Sequence, residues 1–357
     1  MSNSSANQKW RSSLVLPSAT IKEALRILDG SGMRMVLVVS QGDILLGVIT
    51  DGDIRRALLR RADLDTPLGE VMNCNPHTSK SSDSRNSIYE KMNRFSLVHV
   101  PIVDQNGRVV GVETNHRLTS STPRDNWVFL MAGGFGSRLS PLTDNCPKPM
   151  LSVGGKPILQ SILESFSAAG FRNFYISLHY LPELIKEYFG DGTRWGVTIR
   201  YVEEDTPLGT GGALGLLPED CTDQPLIVMN SDVLTKLDFN ALLDFHLSQN
   251  PEMTVCVREY EMQVPFGVIE GDGTFLQRIV EKPTYGFFVN AGIYVLSPDA
   301  VRLARPARHQ NMPDLIAGII GRGDRVVMFP IHEYWQDIGR PSDYAMAQQG
   351  KNIPVRR

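Results

Sequence analysis

The sequence predicts an α/β protein in two parts. An N-terminal domain is built from a tandem repeat, and a C-terminal domain carries a mostly parallel sheet covered by helices on both faces. Three observations carry this expectation. From Trp127 onward, short apolar runs alternate with amphipathic stretches, the pattern of strands joined by crossover helices. Residues 14–118 repeat with a shift of 64, so that Val36 falls on Val100 and Gly47 on Gly111. An apolar run, Trp127 to Met131, opens directly into a loop with three glycines.

The bulk numbers exclude several classes. Of 357 residues, 42% are hydrophobic and 21% charged, with a net charge of −3. That is an ordinary globular balance, and no excess of positive charge points to nucleic acid. The cysteines, Cys74, Cys146, Cys221 and Cys256, are scattered without metal or disulfide spacing, which predicts reduced thiols and a cytoplasmic setting. Residues 1–13 are polar at their start and lack the apolar centre of a signal peptide; they are expected to be flexible. No apolar run approaches the ~18 residues of a membrane span.

The repeat occupies 14–118 without a gap. In copy one the pattern predicts a helix over Ile21 to Leu28 and a strand over Met35 to Val39. A tight turn at Gln41-Gly42-Asp43, a strand over Leu45 to Thr50 and a helix over Gly52 to Leu59 follow. Copy two gives the same series. Gly47-Val48-Ile49-Thr50-Asp51-Gly52-Asp53 in this half resembles the nucleotide-binding segment of CBS repeats, so residues 14–118 are similar to a tandem CBS, or Bateman, module. The resemblance implies a regulatory nucleotide held by Thr50 and Asp53 in copy one. Copy two departs from it: Arg117 stands where the aspartate belongs and cannot accept a ribose hydroxyl's hydrogen bond. The alternative is a packing or dimerisation module without a ligand. Residues 119–126, polar and aperiodic, are expected to link the halves.

In the C-terminal half, 127–350, Pro157 suits a helix first turn. Ile158, Leu159, Ile162, Leu163 and Phe166 then share one face. Strands are expected at Phe174 to Leu178, Thr198 to Val202, Leu226 to Asn230, Thr254 to Arg258 and Leu276 to Val280, with a helix over Leu181 to Phe189. This is a Rossmann-like order, and ligands in such sheets sit at the carboxyl ends of the strands.

The loop at such an end reads Ala132-Gly133-Gly134-Phe135-Gly136-Ser137-Arg138-Leu139, followed by Pro147-Lys148-Pro149. Glycines let a backbone approach a phosphate and turn N–H groups toward it. Arg138 adds a fork of donors and Lys148 a compact charge. The spacing is neither the dinucleotide fingerprint nor the Walker pattern. It closely resembles the signature of the sugar-1-phosphate nucleotidylyltransferases, and that resemblance runs from about Asn126 to Tyr344.

The resemblance implies roles for further residues. Ala132, Gly133, Gly134, Gly136, Ser137, Gly209, Thr210 and Gly211 would bind the nucleotide; Gly267, Glu281, Lys282 and Asn290 would bind the sugar phosphate. Arg138 and Lys148 would be catalytic. By itself, Asp232 at the end of the strand Leu226 to Asn230 could equally be a turn or cap residue. The resemblance assigns it, with Asp337 of Trp335-Gln336-Asp337, to a divalent metal, Mg²⁺. Asp343, beside Pro341, reads as a helix cap. His179, His246 and His332 lack ligand spacing and read as structural.

The expected chemistry joins a nucleoside triphosphate, GTP by preference, to a sugar 1-phosphate, giving a nucleotide sugar and pyrophosphate for surface-glycan or nonulosonate synthesis. Thymidylyl or uridylyl transfer is the alternative within the family. A non-catalytic nucleotide-sensing subunit is the alternative outside it. Neither nucleic acid nor membrane is expected as a partner, and a homo-oligomer is.

Overall fold

The computed structural model describes residues 6–31, 33–95, 97–114, 124–218 and 223–349. The chain divides into two compact units, Met1–Thr122 and Pro123–Arg357.

In the first unit, each repeat forms a three-stranded sheet. Strands Met35–Val39 and Leu45–Thr50 keep the predicted bounds, and the helix before them runs over Ile21–Ser31. Gly42 and Asp43 both take positive φ, 100° and 64°, which closes the tight turn between the strands. The two copies meet at their turns. Leu45 N–H donates to Gly107 C=O at 3.0 Å, Val109 N–H donates to Asp43 C=O at 2.9 Å, and Ile44 bridges Arg108. Ile44 and Arg108 are repeat equivalents, so the copies pair through matching residues. Gly47 has no room for a side chain, because a Cβ there would lie 2.7 Å from Asn73 O.

Two sequence expectations are corrected at the domain edges. Residues 6–13 are not a loose tail: Ala6–Ser13 forms a 3-10 run. Its Trp10 is buried with Met35, Leu37 and Val39, because an indole at the edge of an apolar sheet removes more surface from water than a free chain end can forgo. Arg124, Asp125 and Asn126 belong to the first strand of the second unit, not to a linker. The Arg124 backbone N–H donates to Gly170 C=O at 3.0 Å, and the Asn126 side-chain Nδ2 donates to Pro225 C=O at 2.8 Å, so both are tied to backbone carbonyls of the second unit. Residues 1–5, Arg117, the expected linker positions 119–123 and Cys221 lie outside the described residues.

The second unit is built on a seven-stranded sheet. Its strands are β1 (Arg124–Met131), β2 (Phe171–Leu178), β3 (Thr198–Glu203), β4 (Leu226–Asn230), β5 (Met253–Gln263), β6 (Thr284–Leu296) and β7 (Val326–Ile331). The spatial order is β3-β2-β1-β4-β6-β5-β7. β6 alone runs against its neighbours, so the sheet is mostly parallel, as expected.

Helix α1 (Ile158–Ala168) buries the predicted face: Ile158, Leu159, Ile162, Leu163 and Phe166 are all in the core. Each such side chain contributes roughly 1.5–3 kcal/mol of gross burial energy. Phe166 stacks on Phe239 with ring centres 3.7 Å apart, so Phe166→Ala would open a cavity at the hub of this face. A second core, with Phe129, Tyr175 and Leu214, covers the opposite side of the sheet.

Sequence order and spatial order part company between β1 and β4. β2 and β3 lie to one side of β1, and β4 lies to the other. Loops leaving the carboxyl ends of β1 and β4 therefore diverge and leave a crevice between them, the switch point where doubly wound sheets bind ligands.

Candidate active site

The glycine loop leaves β1 at this crevice. Ala132 N–H still bonds to Ser177 C=O of β2 at 3.1 Å, so the loop starts from a fixed point. Gly136 sits at φ 64°, and a Cβ there would lie 3.0 Å from both Lys148 Cβ and Thr143 Cγ2. The turn and the packing each require glycine. Thr143 Oγ1 donates to Gly136 C=O at 2.9 Å, which ties the loop to the segment that presents Lys148. A short 3-10 turn, Ser137–Leu139, buries Leu139 and holds Arg138 at the cleft.

Asp232 follows β4. Met131 and Asn230 are register partners, and Ser231 Oγ donates to Met131 C=O at 2.6 Å, so both strands end level at the crevice. Asp337 arrives from 105 positions away through a two-stranded ladder that pairs Val233 with Asp337, Leu234 with Gln336 and Thr235 with Trp335. Ile338 N–H donates to Asp232 C=O at 3.0 Å and closes it. Gln336 is fully buried and its Nε2 donates to Asp343 C=O at 2.7 Å; Trp335 Nε1 donates to Ala291 C=O at 2.9 Å. Asp343 accepts from Arg340 N–H at 2.9 Å and caps the helix Pro341–Gln348, as its place beside Pro341 predicts.

The two carboxylates are near enough for each to feel the other's charge. Asp337 is exposed on its outer side, yet the protein packed around its carboxyl partly desolvates it and raises it above the usual range; the Asp232 charge raises it further, against the pull of Lys148 and Arg138. Lys148 Nζ bonds to Asp232 Oδ2. Asp232 Oδ1 is buried and, among the described residues, has no hydrogen-bond partner. A buried carboxylate oxygen left over beside a second carboxylate is the donor set that a hard divalent cation takes. Lys148 is therefore the counter-ion of Asp232 here, a role its sequence context did not suggest.

Arg138, Lys148 and Asp232 open onto one cavity of 420 Å³, whose wall includes Gly339 but not the predicted Asp337. Of the residues predicted from sequence, Gly133, Gly134, Gly136, Ser137, Arg138, Lys148, Gly209, Thr210 and Asp232 line it. Ala132 and Gly211 are set back. The glycines of 209–212 also serve a purpose that the sequence does not reveal. A Cβ on Gly212 would lie 2.1 Å from Arg308 O, and one on Gly209 would lie 2.8 Å from Gln310 O. Their missing side chains admit the 308–311 segment. Gly211 and Gly212 N–H both donate to Gln310 C=O at 2.9 Å.

The expected sugar-phosphate residues form a separate group. A Cβ on Gly267 would lie 3.1 Å from Glu281 Oε2, so those two adjoin. Lys282 takes φ 44°, and Asn290 Oδ1 accepts from Gly292 N–H at 2.9 Å. Gly292 in turn abuts Asn230 of the cavity wall, where a Cβ would lie 2.7 Å from Nδ2.

Glu204 is the functional candidate that sequence reasoning missed. It is buried, lines the cavity and lies so close to the glycine loop that a Cβ on Gly133 would come within 2.6 Å of Oε1. Leu208 N–H donates to Oε2 at 2.9 Å. Burial raises its carboxyl above the ordinary range, opposed by the Leu208 N–H, the Ser177 hydroxyl and His179. The available signal was the one that exposed Asp232: an acidic residue just past the carboxyl end of a parallel strand. By contrast His246 is structural, buried with Nδ1 2.9 Å from Thr254 Oγ1, and burial pushes it down to about 4.

In the first unit, Thr50 and Asp53 form a capping box. Thr50 N–H donates to Asp53 Oδ2 at 2.8 Å and Thr50 Oγ1 at 2.6 Å, while Arg56 bonds to Oδ1. Both Asp53 oxygens thus have donors within the helix start. A ribose there must compete for them.

Residues 128–352 match the nucleotidyl transferase family. The chain belongs to this family. Residues 14–60 and 68–112 each match the CBS domain. Mannose-1-phosphate guanyltransferase of Yarrowia lipolytica is 37% identical over 230 residues, 60% of this chain and 61% of that protein. Mannose-1-phosphate guanylyltransferase of Mycobacterium tuberculosis is 32% identical over 222 residues, again 60% and 61%. The chain thus spans about three-fifths of these relatives' length. The crystal structure of HddC from Yersinia pseudotuberculosis complexed with GMP-PN shares the fold, with TM-score 0.50 and 25% identity over 63% of this chain and 99% of that one. Within the family, the glycine-loop cleft described above is the candidate active site. No described helix is long and apolar enough to cross a membrane.

Proposed function

We propose that the chain transfers a nucleoside monophosphate, GMP by preference, from its triphosphate to a sugar 1-phosphate, in the cytoplasm. The observation that carries this reading is the convergence of Arg138, Lys148 and Asp232 on one cleft, with Asp337 set against Asp232. An oxygen of the sugar phosphate forms a bond to the α-phosphorus; the bond from that phosphorus to the β-phosphate's bridging oxygen breaks, and pyrophosphate leaves. The attacking oxygen is already anionic, so no general base is needed. Positioning and charge stabilisation supply the rate. The glycine-loop N–H groups hold phosphate, Arg138 meets the charge that develops on the leaving group, and Lys148 is close enough to exchange Asp232 for a phosphate oxygen. Asp232 and Asp337 would hold the divalent cation, Mg²⁺ by its preference for oxygen and phosphate; when bound, it supplies charge neutralisation between the phosphates. Gly267, Glu281, Lys282 and Asn290 take the sugar phosphate.

The preference for guanine is supported by the relatives' names and by Glu204. A carboxylate only accepts hydrogen bonds. Guanine offers it two adjacent donors, N1–H and the N2 amino group, whereas uracil and thymine offer one N–H between two carbonyls. The same carboxylate that attracts guanine repels those bases. Pyrophosphate release measured across GTP, ATP, UTP and dTTP against mannose, glucose and glucosamine 1-phosphates tests the proposal. Release without any sugar 1-phosphate would make the protein a hydrolase. No release in any combination would make it a regulatory subunit.

A further inference from the structure

Phe135 stands in the middle of the glycine loop, a large ring where phosphate chemistry asks only for small residues. It lines the cavity and is 50% exposed, so it adds little to the core. What it does have is an aromatic seat. Its centre lies 5.3 Å from that of His179, with the planes at 88°, and 5.5 Å from that of Tyr180, with the planes at 54°. Both are arrangements in which rings attract one another.

His179 and Tyr180 follow β2 directly, and each has a second bond. His179 Nδ1 lies 2.7 Å from Glu204 C=O; a carbonyl only accepts, so Nδ1 carries the proton and donates. Tyr180 Oη donates to Thr143 C=O at 3.1 Å and to Asp144 C=O at 2.7 Å, on the segment that leads to Lys148. One dipeptide therefore touches the glycine loop, the approach to Lys148 and the backbone of Glu204. The loop itself is pinned unevenly. Ala132 N–H and Gly136 C=O are hydrogen-bonded, whereas among the described residues Gly134 and Phe135 make no backbone hydrogen bond. A Cβ on Gly133 would meet Glu204 Oε1 at 2.6 Å, but one on Gly134 would meet nothing within 4 Å. At 134–135 the Phe135 ring is the hold.

We propose that Phe135 is the latch of the phosphate loop and that His179 couples this latch to base choice. With the ring seated, the loop keeps one shape for phosphate, and the same imidazole holds the backbone of Glu204. Both are positioning residues. The proposal rests on the nucleotidyl-transfer reading above and adds the device by which the two ends of the nucleotide are gripped together. An unlatched loop is a state that does not bind, so the apparent affinity for the triphosphate falls with the fraction of molecules that stay latched.

Variants of the full chain separate the two arms. Phe135→Ala removes the latch, and Phe135→Tyr keeps the ring. His179→Asn keeps an amide N–H near the place of Nδ1 but loses the ring; His179→Phe keeps a ring but loses the donor. Initial rates of pyrophosphate release give kcat and KM for GTP, UTP and the sugar 1-phosphate, with melting curves as the control for folding. Tryptic cleavage after Arg138, followed by mass spectrometry, reads loop opening without turnover, because cleavage tracks the open population. Phe135→Ala is expected to raise both the KM for GTP and the cleavage rate about tenfold, and His179→Asn about threefold, the scale of two aromatic contacts and of one. The KM for the sugar 1-phosphate should stay near wild type, and Phe135→Tyr should behave as wild type. His179→Phe should leave cleavage unchanged and lower the preference for GTP over UTP. Adding His179→Asn to Phe135→Ala should change cleavage little, since both remove the same contact. If the two effects multiply, or if Phe135→Ala is cleaved like the wild type, the latch is overturned; Phe135→Ala carries this arm if His179→Asn does not fold. An unchanged base preference in a folded His179→Phe overturns the coupling. A wild type that releases no pyrophosphate overturns the nucleotidyl-transfer reading instead, and the cleavage rates still decide the latch.

Discussion

Asp232 and Asp337, more than a hundred positions apart, are held together by backbone: Ile338 N–H bonds to Asp232 C=O at 3.0 Å, and Asp337 is the register partner of Val233. Neither carboxylate depends on the other's side chain for its place. Asp232→Asn and Asp337→Asn should therefore keep the fold and lower turnover by roughly 10² or more each, the scale for losing one preorganised electrostatic element. Pyrophosphate release, with melting curves as the control for folding, is the measurement. Full activity in either variant would remove that residue from the proposed metal site.

Lys148 should have two measurable roles. It is nearly buried and is the counter-ion of Asp232. Lys148→Ala leaves two neighbouring carboxylates without a cation. The expected cost to stability is about 2–3 kcal/mol, less than for a wholly buried pair because Asp232 keeps 20% of its side chain in solvent. Added divalent cation should restore much of that stability. Thermal melting with and without Mg²⁺ reads both effects. An unchanged melting point in metal-free buffer contradicts the ion pair.

Glu204→Gln should change base choice. A glutamine amide offers one donor and one acceptor, which suits the N–H and carbonyl of uracil better than the two donors of guanine. The ratio of kcat/KM for GTP over UTP should fall by about tenfold or more, since one mismatched buried hydrogen-bonding group costs ~1–3 kcal/mol. The variant also has a pH signature. In the folded chain the Glu204 carboxyl titrates above its unfolded value, so the folded state holds the proton more firmly. Wild-type stability is then lost as pH rises from the unfolded pKa through the folded one. Glu204→Gln should be the more stable protein at pH 8, with the gap closing as pH falls. A constant gap from pH 4 to 8 would place the carboxylate in solvent.

Lys282→Ala should act on the sugar phosphate alone. Lys282 sits apart from the glycine-loop cavity, at φ 44° on the segment beside Gly267 and Glu281. The KM for the sugar 1-phosphate should rise by about 10-fold, while the KM for GTP stays near wild type. Equal increases in both constants would mean that the residue supports the fold, not the substrate.

Local pattern determined much of this protein from the sequence alone. The period of Ile158, Leu159, Ile162, Leu163 and Phe166 predicts a helix face, and that face is buried. Strand Leu226–Asn230 and the two strands predicted in the first repeat keep their predicted bounds. The glycine loop was legible because phosphate chemistry needs small residues and cations close together in the chain. Edges were less legible: Trp10 and Asn126 look like tail and linker because their partners, Val39 and Pro225, are distant in sequence. The site's pairings were beyond local reading for the same reason. Asp337 reaches Asp232, Glu204 reaches Gly133, and the 209–212 glycines reach Gln310 only after the order β3-β2-β1-β4 has set which strand ends adjoin. Hydrophobic period reports a residue's own burial; partners across a sheet are chosen by crossover connections, and those exist only in the folded chain.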